Sequence, residues 1–257
     1  MDRFERFENL SLRVDRHESG ASDGGDGVIR CRAAESRADF EHAFRLVYQR
    51  YVTVGLIRAN PLGLRIAPQQ LRPECQVVLA EVDDRVVGTV SLVGDGQSGL
   101  PVDSVFPGVL DPLRRAGRRI VEIGCLASTD DSARFPSRVY IELTRATIHS
   151  ARQNGFDLMV ASVHPRHAKF YERAMGFDRV SAEAPYEMVN GNPAICLAGS
   201  PTDASAYRQP WRRHFFEESP PAHFQNQPGM NPFDRQHFTQ LFAIVDDTRH
   251  DVGRRAA

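Results

Sequence analysis

Lysine is almost missing from this chain: Lys169 is the only one, and every other basic side chain except histidine is arginine. This scarcity reads as coding bias, not chemistry. An excess of either charge is missing too. Lys and Arg total 32 against 33 Asp and Glu, a formal net charge of -1, which removes the electrostatic footprint of a nucleic-acid binder. The four cysteines, Cys31, Cys75, Cys125 and Cys196, stand far apart, with no Cys-x-x-Cys pair. That argues against a zinc ribbon or a dense disulfide framework and fits a reducing compartment. No apolar run approaches the roughly 20 residues needed to cross a bilayer. The opening "MDRFERFENLSLRVDRHE" has no apolar core of signal-peptide kind. The expectation is a soluble, cytoplasmic protein without a transmembrane segment. Its 257 residues, 41% hydrophobic, suffice for one sizeable core or two small ones.

What is present divides into three stretches. Residues 1–27 end in "ESGASDGGDG", a linker by composition, and read as a disordered leader. Residues 28–200 carry alternating and helical patterns. "VIRCRAA" reads as a strand and "RADFEHAFRLVYQRYVTVG" as a helix. "QVVLAEVDDRVVGTVSLVGD" reads as a hairpin turning at Asp83-Asp84, and "RIVEIGCLAST" as a further strand after a 23-residue connection. Pro136 to Gly155 is a helix with Val139, Leu143, Ala146 and Ser150 on one side and Gly155 as its stop. "FDLMVASVH" is a buried strand, "RHAKFYERAMG" a short helix, and two strands flank the turn at Asn190-Gly191. Residues 201–257 are an extension rich in Pro, His and aromatics. Its "QPWRRHFFEESPPAHFQNQPGMNP" reads as irregular before a terminal helix at about 232–246, capped by Asn231-Pro232. The order β-α-(α)-β-β-β-α-β-α-β-β gives a mixed α/β sheet with helices on both faces.

Several motifs compete for a chemical role. "GDGQSG" has the lettering of a dinucleotide fingerprint, but Leu100-Pro101 follow where a helix must open, so it reads as a loop. His164 and His167 have a spacing that converges on a metal only within one helix. Pro165 marks a strand-to-helix turn between them, and no third ligand stands at suitable spacing, so no metal site is expected. Cys125 is either a nucleophile or a small packing residue, and nothing near it in sequence lowers its pKa. Glu122 lies inside "RIVEIGCLAS", where an unpaired carboxylate is costly. It is either ion-paired to an arginine or a general base whose pKa burial raises. Gly124 suits a bulge that would free strand N–H groups. Tyr171 is either a packing residue or a proton donor to a leaving thiolate.

These pieces in this order resemble the GNAT acyltransferase fold. "FRLVYQRYVTVGLI", "VVGTVSLVGDGQSGLPVDSVFPGVLDPLRRAGRRIVEIGCLAS" and "HPRHAKFYERAMGFDRV…PYEMVNGNPAICL" are similar, more closely, to the long-chain N-acyl amino acid synthases of the FeeM type, relatives of the acyl-homoserine-lactone synthases. The resemblance implies an enzyme that moves a long-chain fatty acyl group from a thioester, carried by acyl carrier protein, to the α-amine of an amino acid, with no cofactor beyond the thioester. It implies Glu122 as base, Tyr171 as acid, the strand to His164 as one side of the thioester cleft, and N–H groups near Gly124, Cys125 and Leu126 as carbonyl donors. Ser128, Arg134 and Arg138 complete the expected substrate-binding set. Two departures stand out. Gly124-Cys125 replaces the Ser-Arg that relatives carry after the strand glutamate. "STDDSARFPSR" lacks the glycine-rich pyrophosphate loop of CoA users, so Arg134, Arg138 and Lys169 are expected to face a carrier protein instead. The alternatives are a GNAT using a short acyl-CoA and a silent acyl-binding module.

Overall fold

The computed structural model describes residues 28–129, 136–217 and 229–255, so the expected leader at 1–27 lies outside the described residues. One sheet contains β1 (Arg30–Ala33), β2 (Cys75–Val82), β3 (Arg85–Gly94), β4 (Ile120–Ser128), β5 (Leu158–Val163), β6 (Asp178–Arg179), β7 (Ala184–Tyr186) and β8 (Asn192–Gly199). Their spatial order is β1-β2-β3-β4-β5-β8-β6, with β7 also pairing β8. Neighbours run antiparallel except β4 and β5, which run parallel. The helices are α1 (Arg37–Thr53), α2 (Asp111–Arg115), α3 (Pro136–Gln153), α4 (Ala168–Ala174) and α5 (Pro232–Arg255).

Local chemistry sets most boundaries. Asp83 and Asp84 both take positive φ, 49° and 59°, the requirement of a two-residue hairpin turn whose twist matches its strands. Ser36 caps α1, accepting from the Asp39 amide while Asp39 accepts from the Ser36 amide. Gly155 ends α3 with φ 69°, and the Phe156 amide reaches back to the Ala151 carbonyl. Asn231 caps α5 by accepting from the Asp234 amide at 3.0 Å. That helix runs to Arg255, well past the 246 that sequence suggests. After "GDGQSG" comes only a 3-10 turn, Pro101–Ser104, and no α-helix opens there.

Apolar side chains fill both faces of the sheet. On one face α3 and α4 cover Val121 and Ile123 of β4, and Val139, Leu143 and Ala146 are buried beneath α3. On the other, α1 and α5 cover Ile120, Val160 and Ala198. The residues after 200 join both cores. Phe238 of α5 is fully buried, its ring edge-on to Phe44 at 5.0 Å. The stretch expected to be irregular instead winds into a turn at Arg213–Glu217. Tyr207 and Phe215 are buried there, and Trp211 packs against Phe170. Aromatic density supplies enough apolar contact to order a segment whose prolines and histidines suggest otherwise. Residues 218–228 of that stretch lie outside the described residues.

Candidate functional site

The parallel pair at the centre of the sheet comes apart. β4 and β5 are in register from Ile120↔Leu158 to Ile123↔Ala161, and no pairing between them follows. β4 runs on to Ser128 and β5 to Val163. β5 keeps β8 on its far side, so the opening is a wedge between two strands that each stay anchored elsewhere. Gly124, Cys125 and Leu126, in a strand with neighbours on both sides, are consequently partly exposed.

Glu122 stands at the apex of the wedge. Its neighbours Val121 and Ile123 point toward α3 and α4, so strand alternation turns Glu122 to the α1 face. It is 2% exposed. One carboxylate oxygen accepts from the Val102 amide at 2.8 Å and the other from the Ser162 hydroxyl at 3.3 Å. Among the described residues no arginine pairs with it, which removes the ion-pair reading. Burial drives its pKa up to about 8; the two hydrogen bonds oppose this, and Asp103 and Asp95 add to it. The Val102 donor is itself built in. Asp103 accepts from the Leu100 amide at 2.7 Å and from Arg114 at 2.6 Å, and Arg114 also holds Asp95. That network fixes the Pro101–Ser104 turn.

A bulge lies two residues beyond. Thr89 faces Ala127 and Ser91 faces Gly124, so Cys125 and Leu126 share Val90. The expected bulge is present, but Cys125, not Gly124, takes the positive φ of 51°. A Cβ built on Gly124 would meet nothing within 4 Å: the face beside Glu122 is open there. Cys125 packs with Leu46, Val47 and Tyr51 of α1. Burial raises its thiol pKa, the positive charge of Arg65 lowers it and Glu122 raises it, so the thiol stays protonated and is not a primed nucleophile. Tyr186 of β7 borders the same space, its pKa raised by burial and by Glu122 and Cys125.

Tyr171 belongs to the opposite face. It is buried in the core under α3 and α4, and its hydroxyl accepts from Tyr140 at 2.9 Å. Burial raises its pKa and the Tyr140 donor lowers it, so the phenol keeps its proton and remains free to donate. The structure therefore does not gather Glu122 and Tyr171 into one corner but sets them on opposite faces of the sheet. His164, at the end of β5, caps the next 3-10 turn by accepting from the Arg166 amide at 3.2 Å. Its pKa is lowered by burial and by Arg166, against a smaller raising effect of Glu183. Leu126 packs against the α3 core, and Ser128 pairs with Gly88 at the end of β4. Arg138 is partly buried in the first turns of α3, while Arg134 lies outside the described residues. No group of three or more His, Cys, Asp or Glu among the described residues could hold a metal ion. Nor is any helix among them long and apolar enough to cross a membrane.

Sequence reasoning missed four participants: Val102, Ser162, Tyr140 and Arg65. Ser162 alone had a signal, since it alternates with Val160 and so shares its face with the neighbouring strand's Glu122. The others belong to segments outside β4 and β5.

A family model described as N-acyl amino acid synthase FeeM matches residues 42–200. Among solved structures, FeeM, an N-acyl amino acid synthase from uncultured soil microbes, is 23% identical with a TM-score of 0.62, covering 70% of this chain and 96% of its own. The CoA-dependent acyl-homoserine lactone synthase BjaI is 18% identical with a TM-score of 0.53, covering 82% and 98%. The AHL synthase LasI is 16% identical with a TM-score of 0.53, covering 77% and 98%. These identities establish a shared fold. No curated protein matches the chain.

Proposed function

The chain belongs to the FeeM family of N-acyl amino acid synthases and is an N-acyltransferase; from that premise we propose that it moves a long-chain fatty acyl group from acyl carrier protein to the α-amine of a free amino acid. The observation that carries this reading is Glu122, a buried carboxylate without a cationic partner among the described residues, its pKa raised to about 8, at the apex of two parting strands. A group with that pKa accepts a proton from an ammonium at neutral to mildly alkaline pH.

The atoms balance as follows. The ammonium gives one proton to Glu122. The freed nitrogen attacks the thioester carbonyl carbon, whose oxygen takes the negative charge and is stabilised by N–H donors near the bulge at Gly124–Leu126. The carbon–sulfur bond breaks as the carbonyl re-forms, and the thiolate takes a proton from Tyr171, which Tyr140 hydrogen-bonds. The second proton leaves the nitrogen for the Tyr171 phenolate, giving the neutral amide and restoring the phenol, and Glu122 releases its proton to solvent. Glu122 and Tyr171 on opposite faces of the sheet suit this division, with acceptor on the α1 face and sulfur reaching the α4 face through the parted strands. No cofactor beyond the thioester is needed.

Carrier protein is preferred as donor because the stretch from Ser128 to Arg138 contains no glycine, and a phosphate nest needs positive-φ residues to aim its amides. The test incubates the purified protein with acyl carrier protein or acyl-CoA, each loaded with a long or a short chain, and mixed amino acids, read by mass spectrometry. Long-chain N-acyl amino acid is the expected product. Acetylation from acetyl-CoA alone would favour an ordinary GNAT, and no product would favour a silent acyl-binding module.

A further inference from the structure

Arg65 sits where a guanidinium is hard to keep. It lies between Leu64 and Ile66 in an apolar cluster and is 5% exposed. Its amide bonds the Phe44 carbonyl, which fixes it beside α1. One terminal nitrogen donates to the Ile66 carbonyl at 3.0 Å, while Nε is buried with no hydrogen-bond partner. Among the described residues no carboxylate pairs with it. A buried arginine offers five donors in a planar fork, and leaving them without an anion is costly. The residues that feel its charge are Cys125, Tyr51 and Tyr186. Of these, Cys125 directly follows Gly124, where a Cβ would meet open space, and packs with Tyr51 against the α1 residues Leu46 and Val47. Cys125 and Tyr186 each sense both Glu122 and Arg65. An unpaired cation and a proton acceptor thus flank one open patch.

We infer that Arg65 is the anchor for the acceptor's α-carboxylate, holding a free amino acid across Gly124 and Cys125 with its amine toward Glu122. This rests on the amino-acid reading above and deepens it. The ligand class is a zwitterion with amine and carboxylate on one carbon. The fork pairs with the carboxylate through charge-assisted hydrogen bonds, and the carbon between them sets the amine at a fixed reach. An amine without a carboxylate, or a peptide amine, leaves the guanidinium unpaired and binds poorly.

The test uses the full chain and its Arg65→Met and Arg65→Lys variants. The acceptors are the free L-amino acids and the matching primary amides, measured both by acylation and by calorimetric binding without donor. Expected is strong preference of the wild type for the acid over the amide. Arg65→Met should raise the amino-acid KM by at least about 30-fold, with little change for the amide, so that the preference collapses. Arg65→Lys should fall between the two. Because the guanidinium is unpaired before substrate arrives, Arg65→Met should melt no lower than wild type, whereas a structural arginine would be missed. Retained acid-over-amide preference in both variants, or a large loss of melting temperature in both, overturns the anchor while leaving amino-acid acylation standing. If no amino acid is acylated, the binding arm still decides. Arg65-dependent calorimetric binding of the acids upholds the anchor and rejects only the acylation; binding that is absent, or indifferent to Arg65→Met, rejects the anchor.

Discussion

In the proposed mechanism Glu122 ties catalysis and stability to one proton. Glu122→Gln keeps the volume and the hydrogen-bonding oxygen but cannot take a proton, and general-base loss costs on the order of 10²–10⁴ in rate. Acyl transfer by the variant should fall into that range, measured as steady-state amide formation. In the wild type, kcat/KM should climb with pH and level off above about 8, where the carboxyl is ionised; the variant should lack this rise. Stability should move the other way. The carboxyl titrates at its ordinary 4.5 when unfolded and at about 8 when folded. Between those values the folded state holds a proton that the unfolded state has released, so stability falls as pH rises through the window. Urea midpoints from pH 5 to 9 should therefore drop in the wild type more steeply than in Glu122→Gln; parallel curves would mean that Glu122 is not held protonated. Tyr171→Phe should cost less rate than Glu122→Gln, because a thiolate leaves without a strong acid. An unchanged rate at all pH values would return Tyr171 to packing.

At the level of elements, the wedge depends on β4 changing character halfway along. Up to Ile123 it is an ordinary central strand, and after the bulge it pairs only with β3. Cys125 carries the positive φ, a conformation glycine adopts freely and a β-branched residue adopts at a cost. Cys125→Gly should thus fold at least as stably as wild type, and Cys125→Val should lose about 1–3 kcal/mol, read by urea denaturation. The terminal helix makes a second case. Phe238 is buried edge-on between Phe40 and Phe44, and Arg37 pairs with Asp234 at 2.6 Å. Phe238→Ala should cost about 3–5 kcal/mol, the penalty of a core residue and not of an appended tail. A change under 1 kcal/mol would show that α5 packs only loosely.

For the whole molecule, the decisive property is how the donor is met. A near-neutral chain with a formal net charge of -1 has no global field to attract an acidic carrier protein, so the proposed donor would have to be met by local arginines, for which Arg134 and Arg138 are the sequence candidates. Acyl carrier protein should outcompete the matching acyl-CoA at low salt. The advantage should shrink as ionic strength rises and the Debye length falls to about 8 Å or less. Arg134→Glu should weaken it further by slowing association, with turnover of bound donor less affected. Competition assays across a salt series, giving one kcat/KM for each donor, check all three; equal use of acyl-CoA at every salt would leave no role for carrier docking.

Some of this was written in the sequence because it depends only on neighbours along the chain. Asp83-Asp84 had to turn, Gly155 had to stop a helix, and Asn231-Pro232 had to start one. A carboxylate amid "RIVEIGCLAS" had to be either paired or perturbed, whatever surrounded it. What the sequence left open was decided by segments far apart in it. Whether Glu122 met an arginine or an amide depended on where the 3-10 turn carrying Val102 came to rest. That Tyr171 lies across the sheet from Glu122 followed from the packing of α4 on the other face. Arg65 lies in a stretch that offered no sequence signal for a site. Packing beside α1 buries it with no carboxylate partner among the described residues, and no local pattern encodes that, because burial belongs to the assembled layers and not to the residue.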